Sequence, residues 1–573
     1  MRSYSEGRRD EPLIEEPIGK FFDEMASRFD SREALVSRHQ ALRYSYGQLK
    51  EEVNELAVAL IGFGVKKGDR VGIWSPNNAE WVLTQFATAK IGAILVNINP
   101  SYQVPELEYA LNQSGVSFLI IARGFKKSDF HSMIYELVPE VQQWREDGTG
   151  EEEIKAQRLP SLRKIVTLDR DEAASHPGMI GWNDFLKIGV KGASPSELKN
   201  RQDEVKYDDP INIQYTSGTT GFPKGATLTH YNILNNGFFS GEQMRFTDKD
   251  RVCIPVPFYH CFGMVIGNLG CVTHGATMIL PEESFNAESV LSTIQDERCT
   301  AVHGVPTMFI AELEHPNFNK YDLSSLRTGV MAGAPCPVEV MKKVISEMGI
   351  REITICYGMT ETSPVSFQSS TDDPIELRVS TVGRVHPHVE AKVIDTSTGD
   401  TVPRGTPGEL CVRGYLVMQE YWNNPKATSE AIDAEHWMHT GDLAVMNENG
   451  YLNIVGRSKD MISRGGEKIF PKELEDFLYT HPKISEVQVI GIPSRKYGEE
   501  VMAWVKLKPG TSATPEELKE YCKGKVAYFK IPSHFKFTDT FPMTVTGKIQ
   551  KFKMKEISIR ELGLEEVSAI KTA

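Results

Sequence analysis

Residues 215–225 read YTSGTTGFPKG and set three glycines, four aliphatic hydroxyls and a lysine side by side. Glycines let backbone N–H groups turn inward, hydroxyls donate hydrogen bonds, and lysine adds a point positive charge, so the stretch suits phosphate. The spacing excludes the G-x-x-x-x-G-K-[ST] loop of P-loop nucleotide hydrolases. Pro223 stands where the second glycine belongs, and Gly225 follows Lys224 where a hydroxyl would meet magnesium. A hydroxyl-rich turn without a ligand is the bland alternative, and the length of the pattern weighs against it.

The elements that must position this loop alternate. YGQLKEEVNELAVALIGFG places Leu49, Val53, Leu56, Ala57 and Leu60 on one helical face. The chain then runs strand (RVGIWSP), helix (NAEWVLTQFATAK), strand (GAILVNINP), helix (PELEYALNQSG) and strand (VSFLII), which predicts a parallel or mixed sheet covered by helices. A second alternating stretch covers about 210–370, and residues 380–455 read as β-rich around an Asn449-Gly450 turn. The charged stretch at 140–156 is expected to be a solvated insert.

Composition bounds the function. The 573 residues exceed one core, and the net charge of −13 argues against a nucleic-acid backbone as partner. Residues 457–573 hold 21 Lys/Arg against 16 Asp/Glu, whereas the preceding 456 residues hold 43 against 61. A small basic module therefore follows a large acidic body. Apolar runs stay strand-sized, so no transmembrane segment is expected. The first twenty residues lack a secretory apolar region and are acid-rich, and the eight cysteines stand singly, so the cytoplasm is the expected compartment.

YTSGTTGFPKG resembles the phosphate loop of the acyl-adenylate-forming superfamily. Further blocks of that superfamily recur in order: FYHCFG at 258–263, GAPCP at 333–337, YGMTETSP at 357–364, HTGDLA at 439–444, GRSKDMISRGGEKIFPKELE at 456–475 and PMTVTGKIQK at 542–551. The resemblance spans about residues 20–557 and is greatest to the medium-chain branch of acyl-CoA synthetases. It implies an α/β fold: a large N-terminal domain (1–456) of two doubly wound subdomains plus a β-rich subdomain, and a small mobile α+β C-terminal domain (457–573).

The same resemblance implies ATP, Mg2+ and CoA, with a carboxylic acid activated to acyl-AMP and passed to the CoA thiol. Thr216, Ser217, Gly218, Thr219, Thr220, Gly221 and Lys224 would hold the outer phosphates. Glu361, with Thr216, would hold Mg2+, a hard cation suited to carboxylate and phosphate oxygens. Tyr357 would stack on adenine, opposite Gly333, Ala334 and Pro335, with Gly358, Met359 and Thr360 beside the nucleotide. Asp442 would accept from the ribose diol, and Arg457 would reach the ribose–phosphate region. Lys548 would bridge the substrate carboxylate and the α-phosphate.

Lys459 would be the hinge, and Arg464, Gly465 and Gly466 would line a slot for pantetheine. His260 would gate the acyl pocket, with Met264, Val305, Met331, Ala332 and Ser363 as wall residues. Lys468 and Phe470 depart from the Asn and Tyr usual in this block. A CoA ligase for aromatic or cyclic acids, a luciferase-type oxygenase and a non-catalytic nucleotide-binding homologue are the alternatives weighed. A homodimer is left open.

Overall fold

The computed structural model describes residues 1–143, 152–169, 176–216, 223–457, 460–465, 467–544 and 549–568. Two large sheets carry the body. In the first, strands run in the order Ile180–Gly181, Lys164–Thr167, Phe118–Ile121, Arg70–Trp74, Ile94–Ile98, Pro210–Thr216, Lys224–Thr229, Glu420–Tyr421. Neighbours are parallel as far as Pro210–Thr216, and the last two pairings are antiparallel.

The second sheet holds a parallel core of Glu352–Gly358, Thr328–Met331, Ala301–Gly304, Arg251–Cys253, Thr277–Leu280 and Glu33–Ser37, in that spatial order. Antiparallel strands close both ends. The helix Ala79–Ile91 is buried along its whole length, as a helix held between two layers must be, and Asn78 caps it by accepting from the Trp81 N–H at 2.8 Å.

A five-stranded antiparallel sheet forms the β-rich part, with Tyr4–Glu6, Val389–Ile394, Gly408–Gly414, Met438–Met446 and Leu452–Arg457 in order. The small module has its own sheet, built on the long hairpin Ile484–Ser494 and Gly498–Leu507, and its own apolar clusters. This is the α/β arrangement expected from the alternation. The helix Tyr46–Gly62 buries Leu49, Val53, Leu56, Ala57 and Leu60 together, as its 3.6-residue period requires.

One expectation changes. The end of the charged insert is not all solvated: Ile154 and Ala156 are buried, and the Ile154 N–H donates to the Arg163 carbonyl at 2.8 Å. Two apolar side chains in a charged run are enough to pin it to the core.

Candidate active site

In open α/β sheets, ligands gather where parallel strands end at their carboxyl side. The second sheet delivers four of the sequence-singled segments there. Strand Arg251–Cys253 leads to His260, Ala301–Gly304 to Val305, Thr328–Met331 to Gly333, and Glu352–Gly358 runs directly into Thr360 and Glu361. The first sheet meets the His260 segment through the strand that ends at Thr216. A Gln214 amide N–H on strand Pro210–Thr216 donates to the Tyr259 carbonyl beside His260.

Strands Pro210–Thr216 and Lys224–Thr229 form an antiparallel hairpin in which Thr216 pairs with Lys224. The lysine therefore stands at the first residue of the returning strand. Pro223 precedes it, where a missing N–H costs no ladder bond, and the Pro223 carbonyl accepts from the Tyr109 hydroxyl at 3.1 Å. Ser217, Gly218, Thr219, Thr220, Gly221, Lys459, Gly466 and Lys548 lie outside the described residues.

Glu361 sits in the one-turn segment Thr360–Thr362 and is 6% exposed. Its Oε1 accepts from the Tyr421 hydroxyl at 2.7 Å, and its backbone carbonyl accepts from the Met418 N–H at 2.9 Å. Tyr421 belongs to the edge strand paired with Lys224–Thr229, and Lys224 Nζ lies 4.3 Å from its ring centroid. An ammonium, an aromatic face, a phenol and a carboxylate thus follow one another. Burial, reinforced by Glu361, pushes the Tyr421 phenol far up, so it stays a donor. Glu361 suits Mg2+, offering a hard carboxylate whose second oxygen is not engaged by Tyr421; Thr216 lies opposite Lys224 in the hairpin and its Oγ1 donates to the Lys224 carbonyl at 3.4 Å.

A second carboxylate has a similar setting. Asp442 Oδ2 accepts from the Tyr357 hydroxyl at 2.6 Å, and Asp442 Oδ1 lies 3.1 Å from Arg457 Nε. The Asp442–Arg457 pair is set by strand register, since the two residues are direct cross-strand partners. Burial, then the Asp442 charge, raises the Tyr357 phenol well above its ordinary range. The proposed adenine-stacking ring is thereby tied to the proposed ribose acceptor. Gly358 has a steric reason: a Cβ there would lie 1.7 Å from the Pro364 carbonyl oxygen.

The expected acyl wall divides. Ala332 and Val305 pack in the main core cluster, whereas Met331 packs in the second cluster behind the sheet. Met331, the last residue of its strand, and Ala332 just beyond it therefore pack in different cores. Met264 is fully buried in an eight-residue π-helical turn, Phe262–Leu269, and its sulfur accepts from the Asn97 amide at 3.2 Å. Ser363 adopts φ +70° and its Oγ donates to the Leu416 carbonyl at 2.6 Å, tying the Glu361 turn to the β-rich part. His260 is half-buried, and its Nδ1 accepts from the Phe262 N–H at 3.2 Å. Gly333 has φ +82°, and a Cβ there would meet Val305 Cγ1 at 3.2 Å and Phe262 Cδ1 at 3.9 Å.

Three residues escaped the sequence reading. Tyr421 lies in an unremarkable EYW stretch and is singled out only by sheet pairing. Phe262, the second phenylalanine of FYHCFG, was within a block the sequence singled out but was not itself picked. Tyr497 stacks under Arg464, whose guanidinium carbon is 4.2 Å from its ring centroid, and its carbonyl accepts from the Gly465 N–H at 2.8 Å.

Removing the Tyr421 hydroxyl leaves one buried Glu361 oxygen without its donor. A hydrogen bond to a charged group contributes about 1.5–3 kcal/mol. Tyr421→Phe should therefore lower kcat/KM for MgATP by roughly tenfold or more, with the steepest loss at low Mg2+. Unchanged kinetics across a Mg2+ titration would detach Tyr421 from the site.

A phosphate-suited sequence, two buried and hydrogen-bonded carboxylates, and a cation beside each of them suit a nucleotide-dependent enzyme. Comparison with known proteins agrees. The AMP-binding enzyme family profile matches residues 22–422, and the AMP-binding enzyme C-terminal domain profile matches residues 473–548. Medium-chain acyl-CoA ligase ACSF2, mitochondrial, of Bos taurus is 44% identical over 566 residues, covering 98% of this chain and 91% of that protein. YngI of Bacillus subtilis (strain 168) is 48% identical over 552 residues, covering 96% of this chain and 99% of that protein.

Among solved structures, the anthranilate CoA ligase AuaEII in complex with anthranoyl-AMP superposes with a TM-score of 0.84 at 27% identity, covering 97% of this chain and 99% of that one. The chain belongs to the AMP-binding enzyme family, within its AMP-forming acyl-CoA synthetases.

Proposed function

We infer that this protein converts a medium-chain fatty acid, ATP and CoA to the acyl-CoA, AMP and pyrophosphate, through an acyl-AMP intermediate. The observation that supports the reading most is the pair of buried, hydrogen-bonded carboxylates: Glu361, just beyond the strand that carries Tyr357, and Asp442, on the β-rich strand Met438–Met446 and bonded to Tyr357. Glu361 and Thr216 would hold Mg2+, which neutralises phosphate charge when bound. Lys224 draws the outer phosphates away from the α-phosphate, and Tyr357 with Asp442 holds the nucleoside. Val305, Phe262 and Ala332 offer apolar surface beside Gly333 for the acyl chain.

Once the α-phosphate is positioned, the substrate carboxylate attacks it in line, and pyrophosphate leaves toward Lys224. Positioning and charge stabilisation supply most of the acceleration in such transfers. For the second half-reaction, the small module turns about Lys459 and exchanges Lys548 for the segment Arg464–Gly466. We place the boundary near 457, because Leu452–Arg457 closes the β-rich sheet and Ile462–Arg464 opens the small module's sheet. Arg464 with Lys496, whose ammonium is 4.8 Å from the Tyr497 centroid, forms a cationic face suited to CoA phosphates.

The medium-chain substrate rests on similarity to ACSF2, and an aromatic acid is the second reading, favoured by the likeness to AuaEII. A reducing compartment, the cytosol first, accords with eight unpaired, buried cysteines. CoA-dependent AMP release should be measured with straight-chain acids from acetate to palmitate, with benzoate and with cyclohexanecarboxylate. The expected profile peaks between hexanoate and dodecanoate. A maximum at benzoate would replace the fatty-acid reading, and no CoA-dependent AMP with any acid would remove both.

A further inference from the structure

The β-rich sheet holds a second chemical cluster that the proposed reaction does not use. Cys411 and His439 are direct cross-strand partners on Gly408–Gly414 and Met438–Met446. Register slips between Glu409 and Cys411, so the segment 440–442 bulges out opposite Leu410, with Gly441 at φ +68°. That bulge presents Asp442. It also brings Glu409 back over His439.

His439 Nδ1 lies 3.5 Å from Cys411 Sγ and 3.4 Å from Glu409 Oε2. One ring nitrogen has only a single hydrogen or lone pair to share between the two neighbours, and of the two separations the one to the Glu409 carboxylate is longer than an ordinary N–H···O bond. They match the edges of a tetrahedron around zinc. Bond lengths of about 2.3 Å to sulfur, 2.0–2.1 Å to nitrogen and 2.0–2.2 Å to oxygen give edges of about 3.6 Å (S···N) and about 3.4 Å (N···O). All three donor atoms lie within 4.8 Å of one another.

The surroundings also fit. His439 Nε2 faces Asp433 Oδ2 at 3.4 Å, the carboxylate–histidine arrangement that orients a metal-binding imidazole. Asp433 is itself fixed by accepting from the Trp437 and Glu435 N–H groups at 2.8 and 3.0 Å. Glu409 keeps its other oxygen, Oε1, on the Gly441 N–H at 3.1 Å.

We propose that Glu409, Cys411 and His439 form a binding site for a thiophilic divalent cation, Zn2+ foremost, with a solvent-facing fourth position and Asp433 as the orienting carboxylate. On binding, the Cys411 S–H bond breaks, its electron pair becomes the metal–sulfur bond, and the proton leaves to solvent. Because binding releases that proton, occupancy should strengthen as pH rises. Because Glu409 also holds Gly441, an occupied site stiffens the bulge that carries Asp442.

The test uses the full-length protein, freed of any affinity tag and stripped with chelator. Zn2+ is titrated against a chromophoric competitor, and Co2+ is added separately to read the thiolate-to-cobalt charge-transfer band. One Zn2+ per chain and a band that survives excess Mg2+ are expected. The band should vanish in Cys411→Ser, and Asp433→Asn, which keeps all three ligands, should weaken Zn2+ by about 10- to 100-fold. Absence of stoichiometric Zn2+ and of the band in the wild type would overturn the proposal, as would a band undiminished in Cys411→Ser. Should Cys411→Ser not fold, unchanged Zn2+ affinity in both Asp433→Asn and Glu409→Gln overturns it equally.

Discussion

Lys548→Ala is expected to lower ATP–pyrophosphate exchange by at least about 10²–10³-fold while a preformed acyl-AMP still reacts with CoA at close to the wild-type rate. An anionic carboxylate must approach an anionic α-phosphate, and only a cation between them lowers that barrier. A lysine supplies a compact point charge that alanine cannot replace. The described flanks suit a loop that presents such a residue. Met543 and Ile549 pair as an isolated antiparallel bridge, and the Gln550 N–H donates to the Pro542 carbonyl at 2.8 Å, pinching the base of the loop.

Lys551 anchors that base through Glu475, with Nζ 2.5 Å from Oε1. Lys548→Ala leaves this frame untouched, so a general loss of folding is not the expected cause of lost exchange. Because the same lysine is proposed to leave the site before thioester formation, the two half-reactions should separate cleanly. Normal exchange in Lys548→Ala would sink the assignment, and equal loss of both half-reactions would argue against the turning module.

Glu361→Gln is the second large effect. The substitution keeps shape and still offers an amide oxygen to the Tyr421 hydroxyl, so the fold should hold. It removes the negative charge, which a hard dication needs more than it needs a neutral amide. The Mg2+ concentration for half-maximal rate should rise by at least about tenfold, with kcat reduced even at saturating Mg2+. Mn2+, which accepts a wider range of ligands, should restore part of the rate. A Mg2+ titration superimposable on wild type would remove Glu361 from the metal site, and a large drop in thermal stability would instead mark it as structural.

The distribution of what was legible has a physical pattern. Periodicity revealed the buried face of Tyr46–Gly62, and alternation revealed three strands of the first sheet, Arg70–Trp74, Ile94–Ile98 and Phe118–Ile121, because side-chain direction within one element follows from local geometry alone. The motif blocks named ATP, the acid and CoA without coordinates, because each block concentrates chemistry in a few consecutive residues. The wall of the acyl pocket was harder. Met331 and Ala332 are adjacent and both apolar, and only the packing of their strand reveals that they face different cores.

Tyr421 and the Glu409–Cys411–His439 cluster lay beyond reach for another reason. The Tyr421–Glu361 hydrogen bond joins residues 60 apart, and the Cys411–His439 approach joins residues 28 apart. Strand order and a bulge decide both, and neither is a property of any short window. The amino-acid order by itself determined the element types, the nucleotide chemistry and the family. The tertiary structure alone decided which oxygen of Glu361 is already held, which face Met331 takes and which side chains Asp442's bulge brings together. Local patterns encode periodicity and donor chemistry, whereas cross-strand register and layer packing arise only when distant segments pair.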